Sequence, residues 1–263
     1  MNGLKEAYNA GKLILFVGAG VSANLGLPIW SQLIDRIAKE LGYEPSVLAT
    51  YGEGLALAEY YRRKTGSLGP LRSWMDREWH RPNVDVKSSE IHQCIVQGKF
   101  SRIYTTNYDR WLEYAHDAYS EPYVKIANVA DLVKARDSQR QIIKLHGDFD
   151  DDSSIVLDET SYFERLDFES PLDIKLRADV LGSSVLFIGY SISDINIRLL
   201  FYKLTKMWSQ HSLTSARPRS YLFSHRPNPV AEEVLGHWGI NMIVPEDDDP
   251  RQALTAFLKT LVS

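Results

Sequence analysis

Short apolar runs recur along the chain, and most of them precede a turn and then a longer segment with apolar residues at helical spacing. Several runs are almost uniformly apolar, which is typical of parallel strands that helices cover on both faces. The pattern predicts an α/β fold with a Rossmann-like parallel sheet and helices on both of its faces. The predicted strands span residues 13–17, 102–105, 123–126, 142–145, 185–189, 221–224 and 241–244.

The clearest helical pattern follows the fifth predicted strand. Ser193 and Asp194 have side chains that can cap a helix N-terminus. The residues after them repeat at the spacing of one helical face, so we expect this helix to pack on the sheet. The repeating apolar residues are Ile197, Phe201, Leu204 and Trp208.

Residues 31–100 lie between the first two predicted strands and carry helical spacing without a convincing strand. A typical βα connection is only a few residues long. We therefore predict one domain over residues 1–263, with a helical insertion or subdomain at about 31–100 that covers one end of the sheet. The aromatic residues between Trp74 and Trp79 are expected to pack this insertion or its contact with another subunit.

The segment GAGVSA at positions 18–23 follows the first predicted strand and opens a predicted helix. Gly18 and Gly20 permit a tight turn and let backbone N–H groups approach a pyrophosphate, which the N-terminus of the helix also attracts. The segment equally fits an ordinary strand–helix turn with Ser22 as the helix cap. Both interpretations stay open on this motif alone.

Three more polar segments follow predicted strands, and open α/β sheets bind ligands beyond the carboxyl ends of their strands. TTNYD brings Thr105, Asn107 and Asp109 to that edge, although helix capping would also explain such residues. KLHG contains His146, a residue type whose pKa near neutrality suits acid–base chemistry, although a structural histidine would also explain it. The third segment, FIGYSISD, contributes Gly189, Ser191 and Asp194.

Composition narrows the class of protein. Thirty Lys and Arg against 34 Asp and Glu give a net charge of −4 without a dense basic run, so we expect no direct nucleic-acid binding. Cys94 is the only cysteine, which excludes an intramolecular disulfide and a zinc ribbon of paired cysteines. No apolar run approaches the roughly 20 residues of a membrane span, and the run at 13–17 is too short for a signal peptide. We expect a cytoplasmic protein without a metal.

Residues 148–159 mimic a calcium-binding loop, with oxygen-bearing side chains at alternating positions and Glu159 at the end. Ser153 occupies the position where such a loop needs glycine, and a strand rather than a helix precedes it. We therefore expect a solvated acidic loop. The other histidines, which have no metal-ligand spacing, are His80, His92, His116, His211, His225 and His237.

Taken together, GAGVS, TTNYD, KLHGD and FIGYSISD resemble the sirtuin-like family in order and approximate spacing, over residues 13–194. The resemblance implies that this edge of the sheet binds NAD. The residues implied to contact NAD are Gly18, Ala19, Gly20 and Ser22 at the pyrophosphate or nicotinamide riboside, Asn107 and Asp109 at the nicotinamide ribose, His146 at its hydroxyls, Gly189 and Ser191 on the adenosine side, and Thr105 and Asp194 as further cofactor-binding residues.

Two departures favour one branch of that family. Sirtuin deacylases continue the glycine turn with a Gly-Ile-Pro-Asp-Phe-Arg-like segment, whereas this chain has GLPIW at 26–30. Deacylases also carry a four-cysteine zinc ribbon, which a chain with Cys94 alone cannot form. The stretch 155–159 leading to Tyr162 resembles the divergent bacterial sirtuin-like domains that act as NAD hydrolases, many of them in anti-phage defence.

The resemblance implies an NAD⁺ glycohydrolase that takes NAD as substrate and releases nicotinamide and ADP-ribose. In this hypothesis Asn107 positions a water, His146 is the general base, and Asp109 orients the ribose or offsets its developing charge. Because unregulated loss of NAD would kill the host, we expect gating by homo-oligomerisation or by a separately encoded activator such as a HerA-type helicase or ATPase. The alternatives are an NAD-dependent protein deacylase or ADP-ribosyltransferase, and a non-catalytic module that binds NAD or ADP-ribose.

Overall fold

The computed structural model describes residues 1–27, 30–151, 154–166, 169–192, 194–210 and 217–263. Seven strands form one parallel sheet: β1 (Leu13–Val17), β2 (Arg102–Thr105), β3 (Val124–Ile126), β4 (Gln141–Lys144), β5 (Ser184–Ile188), β6 (Ser220–Phe223) and β7 (Ile240–Ile243). Their order in the sheet is β3-β4-β2-β1-β5-β6-β7. The predicted α/β class is confirmed, and each predicted strand is correct to within one residue at either end.

Helices connect the strands and cover both faces of the sheet. None of the helices in the described part of the chain combines the length and the apolar character needed to cross a bilayer. The helices are α1 (Asn2–Asn9), α2 (Ala19–Ala23), α3 (Trp30–Glu40), α4 (Pro45–Leu48), α5 (Gly54–Thr65), α6 (Gly69–Trp79), α7 (Glu90–Gln97), α8 (Trp111–Ala118), α9 (Val129–Lys134), α10 (Glu159–Glu164), α11 (Pro171–Leu181), α12 (Ile195–Gln210), α13 (Pro229–His237) and α14 (Pro250–Val262), with a 3₁₀ turn at Val86–Ser88.

The central strand β1 illustrates why the sheet is buried on both faces. Successive side chains of a strand point to opposite faces. Leu13, Leu15 and Val17 accordingly pack in one apolar cluster with α1, α7 and α14. Ile14 and Phe16 pack in a second cluster with α11, α12 and α13. Burying each such side chain stabilises the fold by roughly 1.5–3 kcal/mol, so both faces contribute to the core.

Helix α12 begins where the sequence predicts. The Asp194 Oδ1 atom accepts the backbone N–H of Asn196 at 2.8 Å, which caps the first turn. The predicted apolar face is confirmed at Ile197, Phe201 and Leu204, which are buried against the sheet. The fourth residue of the predicted apolar face, Trp208, is half-buried. Ser193, the other predicted cap residue, and His211 lie outside the described residues.

Six α-helices, α2 to α7, lie between β1 and β2, and the described part of that segment contains no strand. Helices α3, α5 and α6 share an apolar core that includes Tyr61 and Trp79 and reaches Phe149 beyond β4, so the predicted packing role of Trp79 is confirmed. Helix α7 instead packs with α14 in the core of the sheet. That the chain forms one domain with a helical insertion at about 31–100 stays a prediction.

The strand order positions a crevice at one edge of the sheet. From β1 the chain continues to β2 on one side, while β5 pairs with the other side of β1. Such a reversal of strand order creates a crevice outside the carboxyl ends of the strands, where α/β proteins bind ligands. The segments that follow β1, β2, β4 and β5 therefore meet at this crevice.

Candidate NAD site

The glycine turn after β1 lies directly on the turn after β5. The Gly18 N–H donates to the carbonyl of Ile188 at 2.9 Å, and the Gly20 N–H donates to the carbonyl of Gly189 at 2.9 Å. A Cβ on Gly18 would lie 2.3 Å from the Gly189 oxygen, and a Cβ on Gly20 would lie 2.9 Å from the Gly189 Cα atom. Glycine is therefore required here because two backbones are in close contact.

These contacts change the interpretation of the GAGVSA segment. The backbone N–H groups of Gly18 and Gly20 are hydrogen-bonded within the protein, so their first role in this structure is to hold two turns together. Ala19 and Gly20 are exposed at the crevice, as is Ser191 after β5, whereas Ser22 is buried. Contact of these residues with NAD stays a prediction.

The TTNYD segment is fixed to the end of β1. The Thr105 hydroxyl donates to the carbonyl of Val17 at 2.8 Å and accepts the backbone N–H of Asn107 at 3.0 Å. The Asn107 Nδ2 atom then donates to the Ser22 Oγ atom at 3.2 Å. The structure thus joins two motifs that are 85 residues apart, and only 8% of the Asn107 surface stays exposed.

Asp109 lies two residues further on, at the start of α8. Its Oδ1 atom accepts the backbone N–H of Trp111 at 3.1 Å, and the residue is buried. This hydrogen bond satisfies one of the amides at the helix start. The carboxylate therefore has a structural contact, and its predicted role at the ribose stays a prediction.

His146 is enclosed between two side chains. Its Nε2 atom lies 3.3 Å from the Asp194 Oδ2 atom, and its Nδ1 atom lies 3.3 Å from the Tyr162 hydroxyl. Burial, with the Arg165 cation as a second cause, lowers the pKa of His146 to about 3. The expectation of a pKa near neutrality is wrong for this enclosed histidine, because the charged form loses its hydration. His146 is therefore neutral at physiological pH.

Lys144, which precedes His146 by two residues, was not among the predicted site residues. Lys144 is fully buried, and its Nζ atom donates to the carbonyls of Tyr108 and Asp109 at 3.1 and 2.7 Å. The same atom lies 3.0 Å from Glu113 Oε1. It therefore ties the end of β4 to the TTNYD segment, which its place between Ile143 and Leu145 in the sequence did not indicate.

The acidic loop after β4 is only partly as expected. Asp148 is 1% exposed, and its Oδ2 atom lies 3.0 Å from Lys125 Nζ and 3.1 Å from Lys144 Nζ. The prediction of a solvated loop is therefore wrong at this position. Burial alone would raise the pKa of Asp148, but these two lysines outweigh it and hold the pKa below its ordinary value.

Two residues of the loop that resembles a calcium-binding loop, Asp152 and Ser153, lie outside the described residues. Within the described ranges, no group of three His, Cys, Asp or Glu side chains is arranged to hold a metal ion.

The two sides of the crevice differ in access. The residues expected on the pyrophosphate and adenosine side, Ala19, Gly20 and Ser191, are exposed. Asn107 and His146, expected on the nicotinamide side, are 8% and 4% exposed. The candidate site thus combines exposed residues at the turns after β1 and β5 with enclosed residues after β2 and β4.

Gly147, which follows His146, offers a test of how closely the backbone packs at this turn. Gly147 has a φ of +86°, and a Cβ there would lie 2.2 Å from the Ser154 carbonyl oxygen, whereas Gly66 has a φ of +79° with nothing within 4 Å. We expect Gly66→Ala to lower the free energy of unfolding by about 1–2 kcal/mol through backbone strain alone. Gly147→Ala should lower it by at least about 1 kcal/mol more, because the clash adds to that strain. Urea unfolding of both variants measures the difference, and equal losses would contradict the close packing around Gly147.

Comparison with known proteins agrees with these motifs. Residues 101–243, more than half of the chain, match the SIR2-like domain family. NAD(+) hydrolase ThsA from Enterococcus faecium is 32% identical over 197 residues, which are 73% of this chain and 40% of that relative. Defense-associated sirtuin 2 from Bacillus subtilis is 27% identical over 241 residues, covering 88% of this chain and 22% of the relative. NAD(+) hydrolase ThsA from Bacillus cereus is 27% identical over 202 residues, with coverages of 74% and 40%.

The aligned region is therefore less than half of each of these relatives. The family match itself includes the TTNYD, KLHGD and FIGYSISD segments, and the glycine turn that follows β1 lies outside it. In the fold, that turn is hydrogen-bonded to the segments that the match covers. The chain belongs to the SIR2-like domain family.

Proposed function

We propose that this chain hydrolyses the nicotinamide–ribose bond of NAD, releasing nicotinamide and ADP-ribose. The observation that carries the proposal is the hydrogen bond from Asn107 to Ser22, which joins the TTNYD segment to the glycine turn beside the strand end that carries His146. The printed names of the relatives, NAD(+) hydrolase and defense-associated sirtuin, support the same reaction and a role in anti-phage defence.

The reaction determines what the residues must do. The C1′–N bond breaks, and its electron pair leaves with nicotinamide, which becomes a neutral base and needs little help from an acid. The ribose passes through an oxocarbenium-like transition state, as in other glycoside hydrolyses. A water oxygen then bonds to C1′ and releases its proton. The protein must therefore orient the ribose, position this water and accept a proton.

Asn107 and His146 supply these functions in the proposal. The Asn107 carboxamide orients the attacking water, because its Nδ2 atom is already fixed by Ser22 and its oxygen remains as an acceptor. His146 is unprotonated at neutral pH, so a ring nitrogen can accept a proton from a ribose hydroxyl or from the water. Asp109 orients the ribose.

The enclosed part of the site must open before nicotinamide can enter. Tyr162, which contacts His146, belongs to α10, and α10 is attached to helix α5. Arg62 Nε lies 2.7 Å from Asp158 Oδ2, and the backbone N–H of Thr160 donates to Glu59 at 3.2 Å. A movement of α5 would therefore be transmitted to the residue that covers His146. This connection supports a gated activity.

We place the gated enzyme in the cytoplasm, as a homo-oligomer or in a complex with a separately encoded activator such as a HerA-type ATPase. Both expectations derive from the family resemblance and from the need to protect cellular NAD. Size-exclusion chromatography with light scattering tests the oligomer, and co-purification with a co-expressed ATPase tests the complex.

The direct test is incubation of the purified chain with NAD alone, followed by chromatography of the nucleotides. We expect nicotinamide and ADP-ribose in equal amounts, because one bond is broken per turnover. Turnover only with an acylated peptide would indicate a deacylase instead. Binding of NAD without products, also in the presence of the co-expressed ATPase, would indicate the regulatory module.

A further inference from the structure

The contact between His146 and Asp194 gives Asp194 a role other than the predicted binding of the cofactor. The Asp194 carboxylate divides its two oxygens between two tasks. Its Oδ1 atom accepts the backbone N–H of Asn196 at 2.8 Å, and its Oδ2 atom lies 3.3 Å from His146 Nε2. Asp194 therefore connects the fixed first turn of α12 to the imidazole ring.

We propose that Asp194 is the positioning residue that fixes the tautomer and orientation of His146, an inference that rests on the proposed hydrolysis of NAD. A carboxylate beside Nε2 accepts a hydrogen bond, so the ring proton is held on Nε2. The lone pair then lies on Nδ1, the nitrogen that faces the Tyr162 hydroxyl. Nδ1 is thus the atom that accepts a proton during hydrolysis.

The surroundings of the ring make this arrangement necessary. Only 5% of the His146 side chain and 8% of the Asp194 side chain are exposed, so water cannot select the tautomer. Among the described residues, the Tyr162 hydroxyl is the other polar group on the ring, and it can donate or accept and imposes no tautomer by itself. Asp194, which can only accept as a carboxylate, has a fixed preference. When a ribose hydroxyl enters, it takes the place of the Tyr162 hydroxyl at Nδ1, while Asp194 retains its contact with Nε2.

The Asp194→Asn variant changes the contact with His146 while it keeps the cap of α12. The Asn side-chain oxygen still accepts the amide of Asn196 and caps α12, but its NH₂ group now faces His146 Nε2. Nε2 must become the acceptor, which moves the ring proton to Nδ1 and removes the base. We expect kcat for NAD hydrolysis to fall by roughly 100-fold or more, with KM changed less than about threefold.

Two readouts test the proposal independently. Long-range ¹H–¹⁵N NMR, with His146→Gln used to assign the ring signals, should detect the Nε2–H tautomer in the wild type and the Nδ1–H tautomer in Asp194→Asn. Asp249→Asn is the matched control, because Asp249 caps a different helix, α14, by accepting the backbone N–H of Gln252. It should leave both the His146 tautomer and NAD turnover unchanged.

The outcomes distinguish this inference from the proposed function. An unchanged tautomer in Asp194→Asn, or an Nδ1–H tautomer in the wild type, would overturn the pairing whether or not NAD is consumed. A switched tautomer with unchanged kcat would overturn the positioning role. If the wild type produces no nicotinamide with or without the ATPase, the proposed function fails, and the NMR result still decides whether Asp194 sets the tautomer.

Discussion

Asn107→Ala is expected to lower the rate of NAD hydrolysis by roughly 10²–10³-fold, because it removes the carboxamide that orients the attacking water. The change truncates a residue that is 8% exposed and whose Nδ2 atom donates to Ser22 Oγ. Loss of that bond costs about 1 kcal/mol of stability, so the variant should remain folded. Nicotinamide release at saturating NAD measures the rate, and thermal unfolding checks the fold.

Ser22→Ala supplies the matched control for this prediction. It removes the same hydrogen bond but leaves the Asn107 carboxamide in place, and kcat at saturating NAD is compared because loss of Ser22 as a predicted NAD contact would raise KM. If Asn107 acts on the water directly, Ser22→Ala should cost less than about tenfold in kcat, since only the orientation of the amide is loosened. Equal losses in the two variants would mean that Asn107 matters only through its contact with the glycine turn, and the proposed role would be abandoned.

The sheet could be predicted because each strand carries a local signal. The five residues of β1 are apolar and buried, as parallel strands with two covered faces require. Even the edge strands β3 and β7 were located to within one residue, since each begins after a turn and contains β-branched residues. What the pattern did not reveal was the division of the insertion, in which α7 belongs to the core of the sheet and α3, α5 and α6 to a separate core.

The sequence predicted which strand ends carry the residues of the candidate site, but not the contacts between their side chains. Parallel strands direct their carboxyl ends to the same edge, which is why Asn107 contacts Ser22 there and why the strand that precedes His146 pairs with β2. The contact of His146 with Asp194 was not predictable, because it depends on how α12 enters the fold. The pKa of His146 was not predictable either, since it depends on burial that no local pattern encodes.

The buried position of Lys144 was also not predicted. A lysine in an otherwise apolar strand is usually exposed, and the sequence offered no reason to treat this one differently. In the structure, its ammonium group replaces its hydration shell with two backbone carbonyls and the carboxylates of Glu113 and Asp148. A buried charge of this kind is tolerated only when its partners are complete. The candidate site therefore depends on an ion-pair network that lies beneath it.

Lys144→Met is expected to lower the free energy of unfolding by about 3–5 kcal/mol, because it leaves the Glu113 carboxylate buried without its cation. Lys125→Met is the matched control. Lys125 contacts the same Asp148, but its side chain is 27% exposed, so its loss should cost about 1 kcal/mol or less. Urea unfolding at pH 7 compares the two variants.

The pH dependence of the Lys144→Met defect identifies its origin. Burial raises the pKa of Glu113 above its ordinary value of 4.5, and Lys144 opposes that rise, so removing Lys144 raises the pKa further. A carboxyl group with a raised pKa in the folded protein stabilises the fold while it is protonated, and this contribution is lost as the pH rises through that pKa. The stability defect should therefore be smaller at pH 5 than at pH 8, and adding Glu113→Gln should recover part of it at pH 8. A defect that is independent of pH and unaffected by Glu113→Gln would show that the lost packing of the lysine chain, rather than an orphaned carboxylate, destabilises the variant.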